Sequence, residues 1–408
     1  MKNNHHHKRR GRRRCVIVSV LMLIILTGCW SSHEIEEQSL GVGLALDKAK
    51  ESEIERKLDE QENMSDNKKM ITSTYQIVTS QVARSTNTQA DPTQKSYMNV
   101  SETGNSIHEM VRNVSLENDT PIMSYHMKVI VISQKLASKY SLEKLLDQDL
   151  RDNDFRPSCL VLISNGRASN TLKSNVPGET PAFRLAGIVD NSYRTTKILA
   201  PVTLVKIESK LRTNASFLLQ NVQAEKGKVK FGGAAIVDGK TKKVIGILDE
   251  QDLEGITWMT GKGKGGTVES VHKKGEELVV YEVISMKSKI KPHIKGGEIS
   301  FDVKVSSKGR LSERWSKSDT ASTKNVLKKV EILTEKEIEK KIKNSVEKMQ
   351  GKYKVDIAGF GEQLRIHYPK TWDKVKDNWD EIFSGSSVRY KVDVEVEGYG
   401  TSTETKKG

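Results

Sequence analysis

The chain has 408 residues, 67 Lys and Arg against 53 Asp and Glu, and three cysteines. That length provides for two or three domains with cores of their own. Half of the net charge of +14 sits in the first 28 residues; the remaining excess is modest and spread through the sequence, which is not the pattern of a nucleic-acid footprint and leaves a weak attraction to anionic lipid headgroups.

The N-terminus is the most informative segment. Lys8, Arg9, Arg10, Arg12, Arg13 and Arg14 precede an apolar run from Val16 to Leu26, in which only Ser19 is polar. Small residues and then Cys29 follow. This is the layout of a secretory signal peptide, with the His5-His6-His7 triplet in its removed basic region. Leu26-Thr27-Gly28-Cys29 resembles the lipobox of bacterial lipoproteins. In that family a diacylglyceryl group alkylates the thiol and the chain is cut before the cysteine. Cys29 is therefore expected to be the lipidation site and the first mature residue. The apolar run is too short to span a bilayer, which needs roughly 20 residues. The basic block holds the N-terminus on the cytoplasmic side, so the rest is exported. Cys15 leaves with the signal peptide, and Cys159 alone cannot close an intramolecular disulfide. Cys159 reads as a small buried hydrophobe.

Gly41 to Asp47 predicts a strand. Residues 48–69 are charged and poor in apolar groups, which predicts a solvated loop or a weak helix. Ile71 to Thr79 predicts a second strand, and Ser80 to Thr93 an exposed polar loop. Ile107, Met110, Val111 and Val114 keep helical spacing behind a cap at Thr103 or Ser106. Met127 to Ile132 and Cys159 to Ile163 are apolar runs of buried-strand type. Leu136, Tyr140, Leu145 and Leu146 mark a helix between them. Strand, helix, strand suits an α+β or βαβ layer. Pro177, Gly178 and Pro181 interrupt it, and a new section starts near Pro201.

Val229–Val237 and Lys242–Leu248 predict a hairpin closed at Asp238-Gly239 by a type I′ turn, because Asp-Gly accepts positive φ. Leu278–Ile284 and Ile299–Val305, separated by Pro292 and Gly296-Gly297, predict antiparallel strands. Thr334 and Glu337 have the spacing of a capping box, with Leu333 and Ile338 as a hydrophobic staple. Ile338, Ile342, Val346 and Met349 then form one apolar stripe. From Val388 to Val396, apolar residues alternate with Arg389, Lys391, Asp393 and Glu395, as in an antiparallel sheet with one wet face. The fold class is α+β: two to three consecutive domains, each a mixed or antiparallel sheet with packed helices, after a cleaved signal peptide. The expected segments are 1–28, 29–199 and 200–408, the last with room for subdivision.

No chemistry-bearing constellation emerges. Gly261 to Thr267 lacks P-loop spacing, since Lys264 is followed by Gly265 and position 258 is Trp258. His33, His108, His126, His272, His293 and His367 are scattered without metal-ligand spacing. No catalytic residue, metal site or cofactor is expected.

Several segments together resemble the Ger(x)C family, the lipoprotein C subunit of spore germinant receptors. Gly28-Cys29-Trp30, Glu34-Ile35 and a strand ending in Asp47 match its start, although Ser31-Ser32-His33 stands where the family commonly has an early Asp. His126-Met127-Lys128-Val129-Ile130-Val131-Ile132 resembles its His-x-Lys strand, and Arg151-Asp152 its charged break. Gly232 to Val237, Gly239-Lys240, Gly246 to Glu250 and Gly255-Ile256-Thr257-Trp258 resemble its hairpin signature. Asp356 to Gly361, Tyr368 to Trp372 and Asp377 to Phe383 complete the series. Residues 48–100 match least. The resemblance implies several α+β domains and a non-enzymatic role. It also implies a lipid anchor on the outer face of the inner spore membrane and, as partners, two integral membrane subunits, A and B. It assigns this chain no small-molecule pocket. Two rival readings fit an exported lipoprotein. A solute-binding protein of a transporter would show two similar α/β lobes around a hinge cleft. A hydrolase would need titratable groups converging in a pocket.

Overall fold

The computed structural model describes residues 39–50, 70–78, 95–272, 277–315 and 323–398. Nine strands build a first, mixed sheet: β1 (Ser39–Lys48), β2 (Ile71–Val78), β3 (Met98–Gly104), β4 (Ile122–Met123), β5 (Val129–Ser133), β6 (Leu160–Ser164), β7 (Phe217–Glu225), β8 (Lys228–Val237) and β9 (Val244–Leu248). Their order is β3-β2-β1-β5-β6-β7-β8-β9, with β4 beside β1. The centre, β1-β5-β6-β7, is parallel and both flanks are antiparallel.

Continuous apolar runs form the centre because both faces are covered. Ile130, Ile132, Val161 and Ile163 face a core with α1 (Ile107–Asn113), α2 (Gln134–Lys139), α3 (Leu142–Leu145) and α6 (Leu204–Leu211). Val129, Val131, Leu160 and Leu162 face α5 (Pro181–Asp190) on the other side. The short α4 (Asp147–Arg151) follows α3. Ser106 is the cap of α1: its side chain accepts from the Glu109 N–H.

A second sheet comprises β10 (Gly266–His272), β11 (Glu277–Lys295), β12 (Glu298–Trp315) and β13 (Ser387–Val396) in that order. One face is covered by α7 (Glu250–Thr260), α8 (Thr323–Glu347) and the C-terminal helices α9 (Phe360–His367), α10 (Pro369–Val375) and α11 (Trp379–Gly385). Among the described residues, no helix covers the other face.

Five expectations are corrected. Strands from both sides of position 200 enter the first sheet, because β7 pairs with β6 through Ile163↔Asn221; the sheets change over after Leu248. The β8–β9 loop is not a two-residue turn: Asp238 to Lys243 connect them, and Lys242 alone takes positive φ there. Two-residue turns with positive φ at both positions close β7–β8 at Lys226-Gly227 and β11–β12 at Gly296-Gly297. Pro292 lies inside β11 rather than ending it, opposite Phe301 of β12 and beyond the stretch that β10 pairs, so it stands at an edge of the sheet, where proline is tolerated. Thr334 does not cap a helix but lies within α8, fully buried. Finally, β13 runs parallel to β12, because α8 to α11 form the crossover. The signal peptide, Cys29, the charged segment 51–69 and the polar loop expected at 80–93 lie outside the described residues.

Candidate functional site at the joint between the sheets

Helix α7 follows β9 and belongs to both cores. Leu253 and Ile256 pack with Leu218, Ala234, Ile236 and Leu248 of the first sheet. Trp258 and Met259 enter the second core beside Tyr281 and Phe301. The helix begins with a capping box. The Asp249 side chain accepts the Asp252 N–H at 2.9 Å, and Asp252 accepts the Asp249 N–H at 3.3 Å. Such reciprocal bonds satisfy donors that a helix start otherwise leaves open.

Charges at this joint are paired between α7 with its cap and α8 with the π-helical turn Lys348–Tyr353 that continues it. The Lys348 ammonium lies 2.6 Å from Asp252 and 3.2 Å from Asp249. Burial pushes the Asp252 carboxyl up despite that ammonium. At Asp249 burial acts the same way, but the Asp252 N–H and Lys348 outweigh it and hold the carboxyl below its usual range. Glu254 is nearly wholly buried, meets Lys341 at 2.5 Å and accepts from the Thr196 hydroxyl at 2.9 Å. Gly255 makes this closeness possible. A Cβ there would lie 2.1 Å from Ser345 Oγ and 2.3 Å from the Lys341 carbonyl oxygen.

A second cluster holds the C-terminal helices. One oxygen of the Asp356 carboxylate accepts from the N–H groups of Ala358, Gly359 and Phe360 at 2.8–3.1 Å. The other accepts from Gly361 at 2.6 Å and from Trp379 Nε1 at 3.0 Å. This carboxylate supplies the partners that the first turn of α9 lacks. Phe301, Phe360, Trp372, Trp379 and Phe383 pack around it with ring centroids 5.0–6.1 Å apart. A cleft of about 510 Å³ separates this cluster from the first sheet and is lined by Ser216, Lys240, Arg365, Trp372 and Asp380. Lys240 crosses it, donating to the Asp377 carbonyl at 2.7 Å.

Each buried charge at the joint has an opposite partner or a set of N–H donors. That arrangement fixes the geometry of the joint. Among the described residues, Asp380, lining the cleft, accepts only the Asp356 N–H at 3.3 Å, and burial pushes its carboxyl up. The family-like segments 246–250, 255–258, 356–361, 368–372 and 377–383 all converge here, whereas His126 to Ile132 supply the first sheet. Glu254 and Lys341 were not singled out in the sequence, because their pairing depends on a helix crossing. Asp356 carried a legible signal: it stands just before the Gly359-Phe360-Gly361 helix start.

The other singled-out residues do not join the site. Cys159 is buried in the first core, where burial pushes its thiol up. Gly261 is the left-handed end of α7 and Gly266 opens β10, so that segment is a turn. Among the described residues, no three His, Cys, Asp or Glu side chains group to hold a metal. No helix among them is long and apolar enough to cross a membrane.

Two family models match the chain: the spore germination protein N-terminal domain over residues 31–224, and the spore germination B3/GerAC-like C-terminal model over residues 232–400. The chain is 42% identical to spore germination protein YndF of Bacillus subtilis (strain 168), covering 93% of this chain and 94% of that one. It is 30% identical to spore germination protein B3 of the same organism, over 93% and 96% of the two chains. The crystal structure of the GerBC protein superposes with a TM-score of 0.59 at 26% identity, covering 87% of this chain and 97% of that one.

Proposed function

Because the chain belongs to the Ger(x)C family of spore germination proteins, we propose that it is a lipid-anchored, non-catalytic subunit of a spore germinant receptor. It is held through Cys29 on the outer face of the inner spore membrane and supports nutrient-triggered germination with the integral membrane A and B subunits. The family match across both regions carries this reading. Two further observations support it. The Leu26-Thr27-Gly28-Cys29 segment has the residue pattern of a lipobox behind an apolar run. The family-like segments of the second half build a charge-locked joint, the work of a scaffold. The solute-binding alternative fits less well, because the nine-stranded mixed sheet and the four-stranded sheet are not two similar lobes.

Cys29→Ala tests the anchor. The variant is expected to lose metabolic lipid label, leave the membrane fraction and slow germination through its receptor. Unchanged label and membrane retention would refute the reading.

A further inference from the structure

We propose that the open face of the second sheet, near the Gly296-Gly297 turn, docks on an anionic lipid bilayer. The inference rests on the reading of the chain as a membrane-held subunit, and it gives that subunit a second contact with its membrane. The register carries the argument. Lys289 on β11 lies opposite Lys304 on β12, and Lys304 lies opposite Lys391 on β13. Three ammonium groups thus stand in one row across three adjacent strands, on the exposed side. Like charges directly opposite destabilise a sheet. Lys287 and Lys291 flank the row on the same face of β11, and Lys295 continues it towards the turn.

Local acids do not neutralise this face. Asp302 is held by Arg389 and His293, each at 2.8 Å, and Asp393 by Lys391 at 2.9 Å. Among the described residues, Lys287, Lys289, Lys291, Lys295 and Lys304 have no carboxylate partner within ion-pair distance. The outward residues of these rows are Lys, Arg, His, Ser, Asp and Glu, with no aliphatic or aromatic side chain. A protein partner needs apolar anchors at the centre of its footprint. A plane of anionic headgroups needs only positive charge within a Debye length. Lysine suits it, being a hydrated point charge on a flexible stem.

The test uses the full chain mixed with vesicles of phosphatidylcholine alone or with phosphatidylglycerol added. The vesicles are sedimented, exposed briefly to an amine-acylating reagent, and the modification of each lysine is read by mass spectrometry. Lys287, Lys289 and Lys304 are expected to react at least about fivefold more slowly on the anionic vesicles. Protection should vanish near 1 M salt, where the Debye length is about 3 Å. Lys340, exposed on α8, should react equally on both. Equal acylation of the three lysines on both vesicle types overturns the proposal. So does protection that appears on neutral vesicles only when the A and B subunits are present. A chain that sediments with anionic but not neutral vesicles refutes the Cys29 anchor and supports the basic face. Lys304→Glu should melt no lower than the parent, since it removes an in-register repulsion, and should lose protection at Lys289. Retained protection in that variant overturns the proposal.

Discussion

The Glu254 carboxylate and the Lys341 ammonium meet at 2.5 Å with side chains only 4% and 15% exposed, where α7 crosses α8. The two residues come from different stretches of the chain and lock the helix shared by both cores to the helix that covers the second sheet. Removing one partner leaves the other charge buried without compensation. Lys341→Met is expected to destabilise the protein by about 3–5 kcal/mol, whereas Glu254→Gln combined with Lys341→Met recovers much of that loss. Urea unfolding of the two single variants and the double variant measures the coupling. Additive losses would show that the pair does not act as a unit.

Gly255 admits no side chain. A methyl group there meets the Lys341 carbonyl and Ser345 Oγ, so Gly255→Ala should lower stability by about 3 kcal/mol through forced separation of the helices. Ser345→Ala in the same chain should restore little, because the carbonyl remains in the way. Thermal melting distinguishes these outcomes, and full rescue by Ser345→Ala would contradict the geometry.

Asp356 collects four backbone N–H groups and one indole N–H. Asp356→Ala is expected to cost about 3 kcal/mol or more, since hydrogen bonds to a charged acceptor contribute about 1.5–3 kcal/mol each relative to an unpaired group. The loss should be local first. Hydrogen exchange at Ala358 to Gly361 should accelerate before exchange in β5 does, and Trp379 fluorescence should shift to the red.

Asp149 is fully buried among the helices on one face of the first sheet, and neither carboxylate oxygen has a hydrogen-bond partner among the described residues. Burial, and then the nearby Asp152, push its carboxyl well above the usual range. The native state therefore keeps a proton that the unfolded chain releases above about pH 4. Stability contributed by the protonated form is present at low pH and is lost as pH rises through the raised value. Asp149→Asn should melt higher than the parent at pH 8, with the difference shrinking towards pH 4. An unchanged difference across that range would show that Asp149 is not the group that titrates.

The strands of the parallel centre were legible because Met127 to Ile132 and Cys159 to Ile163 are apolar on both faces, and β13 because its alternation is strict. Direction was not legible: alternation in β13 is the same whether its neighbour runs with it or against it. The start of α8 was misplaced because Thr334 and Glu337 imitate a cap. Val326, Val330, Thr334, Ile338, Ile342 and Val346 recur every fourth residue and are all buried, so Thr334 interrupts an apolar stripe. At the joint, Gly255-Ile256-Thr257-Trp258 resembled a hairpin signature but lies within α7, whose Asp249–Asp252 capping box was not singled out. The Glu254–Lys341 pair was invisible because nothing local to either residue specifies the other.

The seam between the two matched regions falls at residues 224 and 232, which is inside the β7–β8 hairpin. A fragment ending there would carry β7 as a bare edge, stripped of the strand that pairs it from Phe217 to Glu225. The complementary fragment would begin part-way along β8 and lose the turn that sets its register. Unpaired edges of this kind template association with other chains. Neither piece is therefore a sound unit for recombination or for separate expression.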